Sequence, residues 1–87
     1  MGYRKTDEEI TQGIKTATVT KDVDKLKELA KEPALGIRRA VVENPHTPNK
    51  IIFKMLLKGE KPVAQNALNN PNANKFIRLM AEGILSK

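Results

Sequence analysis

Apolar residues recur along the chain at three- and four-residue spacing, and polar turn residues divide them into about six segments. This spacing lines up apolar side chains on one face of a helix, so it predicts an all-α fold of about six helices. The apolar residues are mainly aliphatic, because aromatic residues make up only 3% of the chain. Such a composition favours helices over strands, whose packing relies more on aromatic and β-branched side chains.

Capping residues mark where several of the predicted helices begin. Thr6 is followed three positions later by a glutamate, the arrangement of a capping box, and Asp22 stands before the second apolar segment. Thr47 is the predicted cap of the fourth helix, with Pro48 in the first helical position, where its missing N–H is tolerated. Asn72 is the predicted cap of the sixth helix.

The interiors of the first and last helices carry two further expectations. Gly13 lies inside the first helix, where glycine costs about 1 kcal/mol relative to alanine. Either a close approach by another helix or simple tolerance would explain it. In the last helix the pattern predicts an inward-facing apolar set of Phe76, Ile77, Met80, Ala81, Ile84 and Leu85.

A turn that begins with Asn-Pro occurs twice, at Asn44-Pro45 and, 26 residues later, at Asn70-Pro71. At this offset apolar residues match apolar residues in the segments before the turns, for example Val41 with Ala67. Such self-similarity predicts stacked units that bury their apolar faces only against their neighbours. We therefore predict a short right-handed α-solenoid with a continuous aliphatic core.

The predicted organisation is one domain, since 87 residues leave no room for a second. Its parts are a flexible N-terminal tail at 1–6 and a helical-repeat domain at 7–87, with a capping helix, repeats at about 22–47 and 48–72, and a truncated repeat at 73–87.

The segment GIRRAVVENPHTP at 36–48, followed by Ile51-Ile52 and Met55-Leu56, resembles the leucine-rich repeat variant family. Units of that family read roughly Val-Arg-x-x-Val-Ala-x-Asn-Pro-x-Thr-Pro, followed by a Leu-x-x-Leu-Ala helix. The resemblance covers about residues 22–81 and implies an all-helical solenoid, similar in shape to HEAT repeats, that acts as a scaffold or binding module. HEAT-like relatives include DNA-binding proteins, so the resemblance keeps nucleic acid open as a partner.

The second copy of the motif departs from the family pattern. Ala64 stands where the first copy has Arg38, and Asn72-Ala73 replaces Thr-Pro. One family member carries an iron–sulfur cluster through a cysteine-rich segment, and this property does not transfer, because the chain has no cysteine.

The net charge of +6 is unevenly distributed along the chain. Residues 1–43 hold nine Lys/Arg and eight Asp/Glu, whereas residues 44–87 hold seven and two. A basic excess favours a polyanionic partner such as nucleic acid. The alternative is that the extra lysines only keep the domain in solution.

The strongest functional signal is a stripe of lysines at four-residue spacing on the fourth helix. Stacked units would bring further cations beside it, spaced to meet successive phosphates, and such binding is salt-dependent and tolerant of sequence. The alternative is a solvated lysine face. The candidate anion-binding residues are Lys50, Lys54, Lys58, Lys61, Lys75 and Arg78.

Arg38 and Arg39 form a secondary candidate site on the short third helix. One of the two must point outward, and the other can reach a carboxylate or a helix end in the neighbouring unit. A structural role is expected for Arg38, because it occupies the arginine position of the repeat.

Several classes of function lack support in the sequence. Without cysteine the chain has no disulfide, thiolate zinc site or cysteine-bound iron–sulfur cluster. His46 is the lone histidine, in a turn, and no catalytic constellation or phosphate loop is present. We therefore predict a protein that is not an enzyme and has no cofactor or metal. No apolar run is long enough to cross a bilayer and the N-terminus is too polar for a signal peptide, so no membrane association and a cytoplasmic location are predicted.

The leading functional hypothesis is a protein-interaction adaptor or scaffold that grips a protein partner on the concave face of the solenoid. Sequence-tolerant nucleic-acid binding through the lysine ridge is the alternative. The exposed ends of a short stack also leave self-association open.

Overall fold

The computed structural model describes residues 5–87, which form six helices and no strand. The all-α class predicted from the apolar pattern is therefore confirmed. Of the predicted tail at 1–6, residues 1–4 lie outside the described residues, and Lys5 and Thr6 precede the first helix. The helices are α1 (Asp7–Val19), α2 (Val23–Leu29), α3 (Leu35–Glu43), α4 (Asn49–Leu56), α5 (Lys61–Leu68) and α6 (Lys75–Leu85).

The first two helices begin at the predicted caps. The Thr6 hydroxyl accepts a hydrogen bond from the Glu9 N–H at 3.2 Å, and the Glu9 carboxylate accepts one from the Thr6 N–H at 2.9 Å. The Asp22 carboxylate accepts hydrogen bonds from the N–H groups of Asp24 and Lys25 at 3.0 and 3.2 Å. These contacts satisfy backbone donors that have no partner within the helix.

The predicted cap of the fourth helix is wrong. Helix α4 begins at Asn49, after Pro48, and has no side-chain cap. The Thr47 hydroxyl instead donates to the Val41 carbonyl oxygen at 2.6 Å, near the end of α3. This carbonyl oxygen lies in the last turn of α3 and also accepts from the Asn44 N–H at 3.2 Å, so the threonine hydroxyl adds a second hydrogen bond at the helix C-terminus.

The predicted cap of the sixth helix is also wrong, by two residues. Asn74 caps α6, and its side-chain oxygen accepts from the Ile77 N–H at 2.9 Å. Asn72 points back to the preceding turn, where its amide donates to the Pro45 carbonyl oxygen at 2.7 Å.

Helix α3 lies at the centre of the molecule, with α1 packed on one side and α5 on the other. Helix α6 packs on α5, α4 contacts α5 and α6, and α2 contacts α1 and α3. The radius of gyration is 12.4 Å, against about 12 Å expected for a compact domain of this length. Within residues 5–87, no helix is both long enough and apolar enough to cross a membrane.

The core is aliphatic, as the composition predicts. Its largest fully buried apolar side chains come from five of the helices and are Leu26, Ile37, Val41, Val42, Ile52, Leu56, Val63 and Ile77. The inward position predicted for Phe76 is wrong, because Phe76 remains 62% exposed. Its ring lies beside that of Phe53, with 5.9 Å between the ring centroids.

Gly13 lies where α1 and α3 approach each other closely. A Cβ atom at this position would come within 2.6 Å of Cδ1 of Ile37, a side chain that is fully buried. The close approach of α3 therefore explains why the helix interior holds a glycine here.

The two Asn-Pro turns use their asparagine side chains in the same way. Both asparagines are buried. The Asn44 amide donates to the carbonyl oxygens of Ala17 and Thr20, at 2.7 and 2.9 Å, and the Asn70 amide donates to those of Val42 and Asn44, both at 2.9 Å. Each turn is thereby tied to the C-terminal end of an earlier helix.

Candidate binding groove

An open groove separates α2 from α4. It has a volume of about 480 Å³. Helices α4 and α6 pack directly against each other, whereas α2 and α4 are not among the closely packed helix pairs. We call this feature the α2–α4 groove; its lining residues are Val23, Asp24, Lys27, Ala30, Lys31, Pro48, Lys50, Ile51, Lys54, Met55 and Lys58.

The floor of the groove is apolar. Met55 is buried, and Ala30 and Ile51 are half-buried, so these side chains lie deeper than the exposed lysines around them. The helical spacing that buries Met55 and Ile52 on one side of α4 leaves Ile51 at the edge of the core, facing the opening. A ligand in this groove would therefore meet apolar atoms at its base.

The rim of the groove is basic on both sides. Lys27 and Lys31 lie on or just after α2, and Lys50, Lys54 and Lys58 lie on or just after α4. Within residues 5–87, none of them forms an ion pair with a carboxylate, and Asp24 is the acidic residue in the lining. Several uncompensated positive charges around one concave surface attract anionic ligands.

Three of the predicted anion-binding residues, Lys50, Lys54 and Lys58, thus share the groove. Arg78 lies elsewhere and is half-buried. Its guanidinium donates to the carbonyl oxygens of Leu68, Asn70 and Ala73, so it closes the end of α5 and the turn that follows.

Lys61 and Lys75 also lie outside the α2–α4 groove. The Lys61 ammonium donates to the carbonyl oxygen of Lys87, which follows α6. Lys75 is exposed in the first turn of α6. Of the six predicted cations, three therefore line the groove and three lie outside it.

Lys27 and Lys31 are groove residues that sequence reasoning missed. A helix face that mixes lysines with acidic residues commonly forms solvated ion pairs, and one such pair does form on α2, between Lys25 and Glu28 at 3.6 Å. The available signal was the four-residue spacing of the two groove lysines, which matches that of Lys50 and Lys54 on α4. Only the packing of the helices shows that the two pairs face one groove.

Arg38 connects two helices. Its guanidinium pairs with the carboxylate of Glu60, the residue that precedes α5, and donates to the Pro33 carbonyl oxygen at 3.3 Å. The Arg38 side chain is only 11% exposed. Both contacts are structural, in keeping with the role expected for this residue.

Arg39 lies in a second, shallower groove on the face formed by α1, α3 and α5. Its Nε–H donates to the Asn66 side-chain oxygen at 2.7 Å, and the Asn66 amide donates to the Glu43 carboxylate at 3.0 Å. The nearby carboxylate compensates the arginine charge, so this groove attracts anions less strongly than the α2–α4 groove does.

Metal-ligand geometry is absent from the described part of the chain. No group of three or more His, Cys, Asp or Glu side chains lies close enough together to hold an ion within residues 5–87. The His46 side chain is exposed, and its backbone N–H donates to the Asn44 side-chain oxygen at 2.7 Å.

Comparisons of the chain with protein-family models, with curated proteins and with solved structures found no match.

Proposed function

We propose that the protein is a non-catalytic helical-repeat module that binds a protein partner, with the α2–α4 groove as the contact surface. The observation that carries the proposal is the combination, in one open groove, of an apolar floor and a basic rim. A groove of this kind suits a partner segment with an apolar anchor flanked by carboxylates, a recurring mode of peptide recognition. The basic rim would attract the carboxylates of the partner, and the apolar floor would bury its apolar anchor away from water.

The architecture proposed for the module is a short right-handed α-solenoid of HEAT-like repeats, similar to the leucine-rich repeat variant family. Two observations support it. The Asn44 and Asn70 side chains make equivalent hydrogen bonds at equivalent turns, and α1, α3 and α5 pack in sequence with α3 between the other two. In a solenoid each unit contacts only its neighbours.

Selection from a library of short random peptides on the immobilised protein tests the proposed function. We expect enrichment of peptides with Asp or Glu around an apolar residue. The double variant Lys50→Glu/Lys54→Glu should weaken their binding by about tenfold or more, because the rim then repels carboxylates.

The matched control for this selection is Lys15→Glu/Lys21→Glu. It changes the net charge equally, at exposed lysines outside the groove, and should leave the affinity unchanged. Failure to enrich any peptide, or equal loss of binding in both double variants, would contradict the proposed function.

Sequence-tolerant nucleic-acid binding is the second candidate, and the uncompensated lysines on both sides of the groove favour it. Fluorescence anisotropy with random duplex DNA tests it. If about four phosphates are neutralised, affinity should fall by about 100-fold between 50 and 200 mM salt. An absence of binding at the lower salt concentration would eliminate this candidate.

One substitution in the floor separates the two candidates. Ile51→Gln keeps a side chain of similar length but removes the apolar surface at a half-buried position. A peptide anchored on the floor should bind more weakly to this variant, whereas a phosphate backbone held by the lysine rim should bind equally well. The thermal midpoint of the variant serves as the folding control.

A further inference from the structure

The outward side of α6 carries an apolar stripe that is largely exposed within the described residues, where the ring of Phe76 also lies beside that of Phe53 on α4. Phe76 and Leu79 are 62% and 58% exposed, and Met80 is half-buried beside them. Together with Gly83 they occupy positions i, i+3, i+4 and i+7, which form one face of a helix. We call this surface the α6 stripe.

No contact among the described residues explains a glycine at position 83. Apart from its own stretch of helix, a Cβ atom there would meet no heavy atom of residues 5–87 within 4 Å, whereas a Cβ atom on Gly13 would clash with Ile37. A glycine inside a helix lowers helix stability relative to alanine. The absence of a side chain at Gly83 leaves a flat place in the stripe where another surface can come close.

We propose that the α6 stripe binds the α6 stripe of a second copy of this chain, as an antiparallel pair related by a two-fold axis. In this arrangement Phe76 lies opposite Gly83 of the second copy, and Leu79 lies opposite Met80 of the second copy. The large ring then fills the space left by the glycine, and the symmetry makes this contact twice. The proposal is independent of the function proposed for the α2–α4 groove.

Two charged residues beside the stripe favour a second copy of the chain as the partner, with its α6 helix in the antiparallel direction. Lys75 and Glu82 flank the same edge of the stripe, seven residues apart, and both are exposed. Neither forms an ion pair within residues 5–87. In an antiparallel pair Lys75 of each copy comes next to Glu82 of the other, whereas a parallel two-fold pair would place the two charged edges on opposite sides of the contact and leave these charges unpaired.

The dimer is expected to be weak, because one pair of short helices buries less than the about 1,200 Å² typical of stable complexes. Sedimentation at protein concentrations from about 10 μM to about 1 mM would detect a dimer with a dissociation constant in that range. We expect the mean mass to rise from the 9.7 kDa of the monomer toward twice that value. A constant monomer mass across the range would overturn the proposal.

Two single variants place the contact on the stripe. Gly83→Gln puts a side chain into open space in the monomer, so it should keep the fold but abolish the dimer. Leu79→Lys should do the same. The control is Leu57→Lys, at an apolar residue that is similarly exposed (64%) just after α4, and this variant should still dimerise. A dimer that persists in both stripe variants would overturn the proposal.

A charge exchange tests the antiparallel direction. Lys75→Glu and Glu82→Lys should each weaken the dimer by about fivefold, because each brings like charges together across the two-fold axis. The double variant Lys75→Glu/Glu82→Lys should restore it to within about twofold. Each substitution suits its end of the helix dipole, so helix stability is maintained. If the double variant is as weak as the single variants, the antiparallel pairing is wrong.

Discussion

Two asparagine side chains do more for this fold than their turn positions suggest. Asn44 and Asn70 are 2% and 0% exposed, and each side chain donates two hydrogen bonds and accepts one. An Asn-Pro pair predicts a turn from local chemistry alone. The carbonyl partners are about 24–28 residues away in the chain, so only the folded packing reveals them.

Replacing Asn44 by alanine should destabilise the protein by about 2–4 kcal/mol, because the buried carbonyl oxygen of Ala17 and the half-buried one of Thr20 lose their donor. Urea denaturation of the variant measures this loss. The control is Asn69→Ala, an exposed asparagine that should cost less than about 0.5 kcal/mol. Equal unfolding midpoints for the two variants would show that the buried hydrogen bonds contribute little.

Arg78 is a second residue whose role depends on its contacts rather than its charge. Arg78→Lys keeps the positive charge but cannot reproduce the planar set of donors to three carbonyl oxygens. We expect a loss of about 1–3 kcal/mol in unfolding free energy and no loss of anion binding. The substitution Lys75→Ala, at an exposed position of the same helix, should be nearly neutral. Stability equal to that of the wild type would show that the carbonyl contacts are dispensable.

At the scale of helices, the number of elements and most of their limits follow from local signals. Helical spacing, the caps at Thr6 and Asp22 and the Asn-Pro turns locate α1 to α6 within a few residues. The errors arise where a tertiary contact competes with a local one. Thr47 bonds a carbonyl of α3 instead of capping α4.

Helical spacing has a further limit, which Phe76 illustrates. The spacing identifies an apolar helix, but it does not distinguish side chains directed at the core from those at its edge. Phe76 lies far enough around α6 to stay exposed, although it stands four and eight residues before Met80 and Ile84, which pack against the core.

Two of the helical glycines, Gly13 and Gly83, should respond oppositely to alanine. Gly83→Ala should raise the unfolding free energy by about 0.5–1 kcal/mol, because the position is open and alanine favours the helix. Gly13→Ala gains the same propensity but forces the buried Ile37 to move, and overpacking of this kind costs about 1–3 kcal/mol. Thermal unfolding in dilute solution measures both variants. An equal gain at the two positions would mean that α1 and α3 separate without penalty.

At the scale of the whole molecule, the candidate site is a product of helix packing. The lysines of α4 were identifiable from their four-residue spacing, but their partners across the groove, Lys27 and Lys31, belong to another helix. A pattern along one helix cannot predict which neighbouring helix faces it. The apolar floor could not be predicted from one helix either, because Ile51 packs against the core and also lines the groove.

The most direct test of the groove as the binding surface is a titration of the isotope-labelled protein with a peptide recovered from the library selection. Amide chemical shifts report which residues change on binding. We expect the largest shifts in residues 23–31 and 48–58, small shifts in α1 and α5, and no saturable shifts in the Lys50→Glu/Lys54→Glu variant. Shifts centred on another surface, or unchanged binding by that variant, would contradict the assignment of the groove.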